Sequence, residues 1–301
     1  MLRTAHWDDW SLDDLLAAKG ATRVSLVVPA RNEAATVGDV VSRVREALVE
    51  TVALLDEIVV VDSDSTDATY DVAVDAGAVV HRSAEIRPDL GTRPGKGEAM
   101  WKSLFVTTGD VLVFMDADLL DWDTHFVPGL LGPLLTDPGV ALVKGFYERP
   151  MLDVEGGRLD GALDGGRVTE LVARPVIALD YPELAGLVQP LAGEWAVRRS
   201  LFETLWVPSG YAVELAALID TLAARGPDAI AQVDLGRRSH AHQALLDLGA
   251  MATQILAAVH ARQGRPVPEE VALRQYRSEA GSIVPVGRAV PLGERPPAVS
   301  V

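Results

Sequence analysis

The 301-residue sequence contains no cysteine. That excludes disulfides, thiolate zinc sites and a cysteine nucleophile together. Positive charge is also scarce: 27 lysines and arginines face 43 aspartates and glutamates, for a net charge of −16, and only four of the 27 are lysines. A chain this acidic has no electrostatic footprint for nucleic acid or an anionic membrane. An anionic small molecule could bind only in a pocket of local positive charge. Long hydrophobic runs are missing too. No stretch approaches the roughly 20 uncharged apolar residues of a membrane span. The most apolar late stretch, 244–260, carries Asp247 and Gln254 and reads as a buried amphipathic helix. The first residues, with His6, Trp7, Asp8, Asp9 and Trp10, offer no apolar signal-peptide core. These absences point to a cytoplasmic protein with neither nucleic acid nor membrane as partner. A hydrophobic share of 49% against 23% charged is enough for an ordinary globular core.

The first half alternates two patterns. Apolar, β-branched runs without polar alternation at 23–28, 57–61, 78–81, 111–115 and 140–146 predict strands buried on both faces. Helical patterns at 34–49, 67–76, 96–107 and 124–135 lie between them. Such alternation predicts a mostly parallel, Rossmann-like sheet covered by helices, with ligands outside the carboxyl ends of its strands. The second half reads as mostly helical, with one more strand at 229–233. A glycine-rich stretch at 156–166 separates the halves, and prolines and glycines after Gly264 suggest an extended tail, folded over a partner subunit. The expected organisation is a leader helix at 1–22, a donor-binding half at 23–150, an acceptor-binding helical half at 151–262 and a tail at 263–301.

The residues directly after the strands are the polar ones. Pro29-Ala30-Arg31-Asn32-Glu33 follows the first, Asp62-Ser63-Asp64-Ser65-Thr66-Asp67 the second, and Asp116-Ala117-Asp118 the fourth. Positions i and i+2 of an extended segment share a face, so Asp116 and Asp118 present two carboxylates that suit magnesium or manganese bridging to a diphosphate. Ser65, Thr66 and Asp67 also suit simple helix capping. Lys96, in Gly91-Thr92-Arg93-Pro94-Gly95-Lys96-Gly97, fails the P-loop pattern because the spacing is short and no Ser or Thr follows. It still opens a helical pattern, where an ammonium and a helix N-terminus together suit a phosphate. The run Gly165-Gly166-Arg167-Val168-Thr169-Glu170 offers backbone N–H groups, a guanidinium fork and a hydroxyl to a phosphate or carboxylate. Glu214 follows Gly210-Tyr211 at a helix start, where it also suits the helix dipole. His240 and His242, after Arg237 and Arg238, are candidate metal ligands.

Together these segments resemble the GT-A family-2-like glycosyltransferases, and within them the actinobacterial glucosyl- and mannosyl-3-phosphoglycerate synthases. The likeness spans about Val24 to His260 and is carried most specifically by the run from Gly165 to Pro175, with Gln189-Pro190-Leu191 and Gly210-Tyr211-x-Val213-Glu214. It implies a GT-A α/β fold with a helical acceptor part. It also implies retaining transfer of glucose from UDP-glucose to the 2-hydroxyl of 3-phosphoglycerate. On that likeness Pro29, Ala30, Glu33, Ser63 and Lys96 hold the nucleotide, with Asp116 beside ribose and sugar. Asp118 and His240 take Mg2+ or Mn2+. Gly166, Arg167 and Thr169 hold phosphoglycerate. Tyr211 and Glu214 touch sugar or acceptor, Leu191 lies by the reacting centre, and His242 stands where relatives place an acceptor-facing asparagine. A homodimer is expected. GDP-mannose is the alternative donor. A polyprenyl-phosphate glycosyltransferase would need membrane-facing segments, and a non-catalytic nucleotide-sugar sensor would not need the Gly166-Arg167-Val168-Thr169 cluster.

Overall fold

The computed structural model describes residues 2–148, 151–152, 158–159, 166–238, 244–279 and 281–301. Its strands, in chain order, are β1 (Arg3–His6), β2 (Val24–Ala30), β3 (Glu57–Asp62), β4 (Val79–Arg82), β5 (Val111–Phe114), β6 (Leu142–Glu148), β7 (Met151–Leu152), β8 (Arg158–Leu159), β9 (Trp195–Arg198), β10 (Val207–Pro208), β11 (Ile230–Arg237), β12 (Glu270–Glu279), β13 (Ser282–Pro291) and β14 (Glu294–Arg295). The α-helices are α1 (Leu12–Lys19), α2 (Val37–Arg45), α3 (Thr69–Asp75), α4 (Lys96–Ser103), α5 (Phe126–Thr136), α6 (Arg174–Asp180), α7 (Arg199–Phe202), α8 (Val213–Arg225) and α9 (Leu245–Arg262). Eight strands form one sheet in the order β1-β11-β6-β9-β5-β2-β3-β4. Each neighbouring pair is parallel except those of β9, which runs antiparallel to both β5 and β6.

This is the mostly parallel α/β architecture that the patterning predicts, and the physical reason is visible in the burial. Val24 to Val28 and Val59 to Val61 are fully or almost fully enclosed, so both faces of each strand must be apolar. Two apolar cores result. One, with Trp101, Phe114, Trp195 and Phe202, lies under α4, α7 and α8; the other, with Leu26, Val41, Phe126 and Tyr147, lies under α2 and α5.

The structure corrects the outer parts of the sequence reading. The leader is a strand followed by a helix, with β1 added at the sheet edge beside β11. The second half also supplies β9 to the middle of the sheet. The expected tail contains a ten-pair antiparallel hairpin, β12–β13. After the hairpin the chain returns to its own body, where β14 pairs with β10.

Candidate active site

The carboxyl ends of β2, β3 and β5 meet as one tip. Pro29 and Ala30 pair with Val61 and Asp62, and the Ser63 amide donates to the Ala30 carbonyl at 2.8 Å. Side chains cross-link the two loops. The Asn32 amide donates to Ser65 Oγ (2.9 Å), the Thr66 amide to Asn32 Oδ1 (2.8 Å), and the Glu33 amide to Thr69 Oγ1 (2.8 Å). Asn32 and Asp64 hold the tight bends with φ of 57° and 56°, a region that short polar side chains tolerate. Asp67 accepts from the Thr69 and Ala34 amides, so its place is in bracing this loop at the start of α3. Glu33 stands free enough of partners to feel the other acids. Burial first, then the charges of Asp118, Asp116 and Asp67, push its carboxyl up to about 7.

Asp116 sits at the centre. Its Oδ1 lies 2.6 Å from Lys96 Nζ and its Oδ2 lies 3.0 Å from Arg238 Nη2. Lys96 Nζ also reaches Glu214 Oε1 at 2.8 Å. Burial opposes the charge on Asp116, but Lys96 and Arg238 outweigh it and hold the carboxyl well below the usual carboxylate range. Burial likewise opposes the Lys96 ammonium, and Asp116 and Glu214 together keep it well above the usual lysine range. Asp118 is the outer carboxylate. It touches Arg238 Nη2 at 3.4 Å, its side chain is 40% exposed, and partial burial and then the charge of Asp116 raise its pKa. Both acids reach one guanidinium nitrogen, Arg238 Nη2.

Glycine makes the Lys96 position possible. Gly95 has φ of +126°, and a Cβ on Gly97 would fall 1.9 Å from the Pro208 carbonyl oxygen. The bare backbone lets the start of α4 dock on the loop before α8, where the Gly97 amide donates to Gly210 O (3.2 Å) and the Glu98 amide to Ser209 O (2.9 Å). Lys96 is thereby placed between β5 and the first turn of α8, opposite Glu214.

Four buried side chains behind this cluster, Arg238, Glu194, Tyr147 and Lys144, escape the sequence reading. Arg238 Nη1 lies 2.8 Å from Glu194 Oε2, and Tyr147 Oη donates to that same oxygen at 2.9 Å. Lys144 donates to the Ala192 carbonyl, beside the Leu191 backbone, and burial pushes its ammonium down to about 8. Arg238 lies within the Arg237-Arg238 pair, Glu194 three residues past Leu191, and Lys144 is one of four lysines, set in an apolar strand. That last mismatch is the one signal that could have flagged a charge held in the interior.

Gly166, Arg167 and Thr169 are placed at the start of the turns leading into α6. Gly166 has φ of +84°, Arg167 is exposed and Thr169 is buried. Arg174 joins these turns to the Leu191 loop, donating to Val188 O at 2.6 Å and Leu187 O at 3.2 Å. Tyr211 is 43% exposed, and its amide donates to Gln254 Oε1 at 3.0 Å. Gly165, His240 and His242 lie outside the described residues.

The residues present suit a divalent cation that takes most of its ligands from substrate and water. Asp118 is a carboxylate at the mouth whose raised pKa a cation would relieve, whereas Asp116 is already neutralised by Lys96 and Arg238. Among the described residues no group of three or more His, Cys, Asp or Glu could hold a metal by itself.

The mostly parallel sheet with this acid pair and lysine at its carboxyl ends belongs to a glycosyltransferase of the GT-A fold, as likeness to known proteins shows. The model of glycosyl transferase family 2 matches residues 25–205. The chain is 47% identical over 289 residues to the glucosyl-3-phosphoglycerate synthase of Mycolicibacterium smegmatis, covering 96% of this chain and 93% of that protein. It is 44% identical to the Petrotoga mobilis enzyme of the same name, covering 81% and 74%. Its fold superposes with a TM-score of 0.86 on the Mycobacterium tuberculosis glucosyl-3-phosphoglycerate synthase in complex with Mn2+, UDP-glucose and phosphoglyceric acid, at 42% identity over 99% of this chain and 98% of the other. The chain belongs to glycosyl transferase family 2 and, within it, to the glucosyl-3-phosphoglycerate synthases.

Proposed function

We propose that the protein transfers glucose from UDP-glucose to the 2-hydroxyl of 3-phosphoglycerate, with retention at the anomeric carbon. The observation that carries this reading is the Glu214–Lys96–Asp116–Arg238 chain of ion pairs at the strand tips, in a chain 47% identical to a synthase of that name. The tips at Pro29, Ala30, Glu33 and Ser63, with Lys96, are the place for the nucleotide, and Asp116 lies beside the ribose and sugar. Gly166, Arg167 and Thr169, with Tyr211 and His242, are the place for phosphoglycerate, and Leu191 flanks the reacting centre. On this reading 23–150 is the donor half and 151–262 the acceptor half of one domain.

The ion pairs also bear on the chemistry. Asp116 and Glu214 both share the Lys96 ammonium, which lowers the nucleophilicity of each carboxylate. The step we propose is therefore a front-face substitution. The bond from the anomeric carbon to the β-phosphate oxygen breaks, the bond to the acceptor 2-oxygen forms on the same face, and the hydroxyl proton passes to the departing phosphate oxygen. Asp118, with His240, would hold magnesium or manganese, which supplies charge neutralisation for the leaving diphosphate. Lys96 and Arg238 hold Asp116 ionised and fixed throughout.

We also propose a cytoplasmic homodimer. No helix among the described residues is long and apolar enough to cross a membrane. The β12–β13 hairpin leans on α9 through Gln275 and Arg288 and leaves Tyr276 and Ile283 60% and 79% exposed. A two-stranded ribbon is marginal by itself, which favours a covering subunit.

The test is product analysis by mass spectrometry after incubation with UDP-glucose, GDP-mannose and other nucleotide-sugars, with and without 3-phosphoglycerate. Glucosyl-3-phosphoglycerate formed only with UDP-glucose and acceptor together is the expected result. Mannosyl product from GDP-mannose, or sugar release that ignores the acceptor, would refute it.

A further inference from the structure

Residues 291–296, the stretch that follows the hairpin, touch both walls of the Lys96 position. On one wall is the loop before α8. The Ser209 amide donates to Gly293 O at 3.1 Å, and Gln254 bridges from the Tyr211 amide (3.0 Å) to Pro291 O (3.0 Å). On the other wall is the loop 90–95 and the first turn of α4. Arg295 grips it with four contacts: Nε to Glu98 Oε2 (2.7 Å), Nη2 to Glu98 Oε1 (2.6 Å), Nη1 to Leu90 O (2.8 Å) and Nη2 to Gly91 O (3.0 Å). Arg93 Nη1 donates to Glu294 O at 3.1 Å, and Trp101 Nε1 to Pro296 O at 2.8 Å.

This is more than a chain end stuck to a surface. Arg295 and Glu98 are buried, with 6% and 1% of their surface exposed, and the guanidinium lies 5.0 Å over the Trp101 ring. A buried carboxylate is expensive unless it is paired and hydrogen-bonded, and the bidentate fork supplies both. Glu98 also accepts from the Arg93 amide at 3.2 Å. The loop itself holds no regular structure between Leu90 and Gly95, and Gly91 and Gly95 have φ of +65° and +126°. Its carbonyls at Leu90 and Gly91 therefore find their partners in Arg295 rather than in a helix or sheet.

We propose that Arg295 is a positioning residue for the donor: through Glu98 and the Leu90–Gly91 carbonyls it fixes the entry to α4, and with it the Lys96 ammonium between Asp116 and Glu214. The inference rests on the proposed function, in which Lys96 serves the nucleotide-sugar. It makes the donor side of the site dependent on a segment about 200 residues away in sequence, and the contacts of Arg295 fall on the loop 90–95 and α4 rather than on the α6 turns that carry Gly166, Arg167 and Thr169.

Arg295→Lys keeps the charge and loses the fork, so it tests geometry rather than electrostatics. We expect the UDP-glucose KM to rise about tenfold and the 3-phosphoglycerate KM to stay within twofold, with amide hydrogen exchange at 91–97 faster than in the wild type. Calorimetric titration of UDP with Mn2+ should show the same weakening. A merely structural role predicts a lower melting temperature with both KM values unchanged below it, and that result overturns the proposal. If Arg295→Lys does not fold, Trp101→Phe removes the Pro296 tie, leaving a small cavity in the core, and should give the same donor-selective rise in smaller measure; an unchanged donor KM there is equally fatal. A wild type that takes no UDP overturns the functional reading and this inference with it. A wild type that takes it, with variants that equal the wild type, overturns this inference only.

Discussion

Gly193→Ala isolates the Asp116 carboxylate without touching its chemistry. A Cβ built on Gly193 falls 2.1 Å from Asp116 Oδ2 and 2.5 Å from its Cγ, whereas ordinary contact begins near 3.4 Å. Gly193 does not lie in the left-handed region, so alanine strains no backbone dihedral there. The neighbour that must give way is a side-chain carboxylate, which has to retreat by more than about 1 Å. It cannot do so and keep Lys96 Nζ at 2.6 Å and Arg238 Nη2 at 3.0 Å. Each is a hydrogen bond between charged groups, worth about 1.5–3 kcal/mol. Losing one of the two, or misplacing the pair by 1 Å, costs on the order of a hundredfold in rate. The expected result is a fall of about that size in kcat/KM for UDP-glucose with the circular dichroism spectrum intact, and the assay is initial-rate measurement of UDP release with both substrates varied. Rates within threefold of the wild type would show that Asp116 does not need this placement, and the central role given to the Lys96–Asp116–Arg238 chain would fall.

Other perturbations probe the remaining parts. Asp118→Asn should lower metal-dependent turnover by at least a hundredfold while the metal-free protein melts no earlier than the wild type, since the raised pKa of Asp118 marks an ionised group that is disfavoured without a cation; normal turnover in Asp118→Asn would remove it from the metal. Arg167→Ala should raise the 3-phosphoglycerate KM about ten- to a hundredfold with donor KM little changed, and the reverse pattern would assign that cluster to the donor. Lys144 gives a pH test. Its pKa falls from 10.5 in the unfolded chain to about 8 in the fold, so the unfolded state binds the extra proton between those values. Wild-type stability should rise with pH across that window relative to Lys144→Met, by up to about 3 kcal/mol, and denaturant midpoints at pH 7, 8, 9 and 10 that run parallel for the two proteins would contradict the burial of an ammonium there.

Legibility of the fold followed burial. Val24 to Val28 and Val111 to Phe114 are enclosed on both faces, and so an apolar run, broken only by Ser25, announced each strand. The same enclosure hid β9. Trp195, Ala196 and Val197 have no exposed surface, but the strand has only four residues, and a short apolar run reads equally well as one turn of a buried helix. The β12–β13 hairpin was hidden for the opposite reason. Both of its strands are largely exposed or half-buried along their length, so no face had to be apolar, and Pro285 and Pro291 spoke against strand. The expectation of a tail over a partner thus passed over a segment whose end is committed to its own chain through Arg295.

In the site, what was legible is the set of polar residues at the strand tips. Asp116, Asp118, Glu33 and Ser63 stand directly after strands because a parallel sheet puts its ligands there. What was not legible is the countercharge. Asp116 and Asp118 are tolerated there beside Lys96 and Arg238, which come from the start of α4 and from the residue after β11, about 140 positions apart, while Lys144 from β6 is buried behind them. No local pattern links Lys96, Lys144 and Arg238; only the strand order, with β6 and β11 adjacent and β9 wedged beside β5, brings them together. This also resolves how a chain with a net charge of −16 can serve two anionic substrates. Its field at long range is repulsive, so attraction has to be short-ranged and built in. At the strand tips Lys96 and Arg238 are held below the surface, where the low dielectric strengthens them and where carboxylates fix their positions.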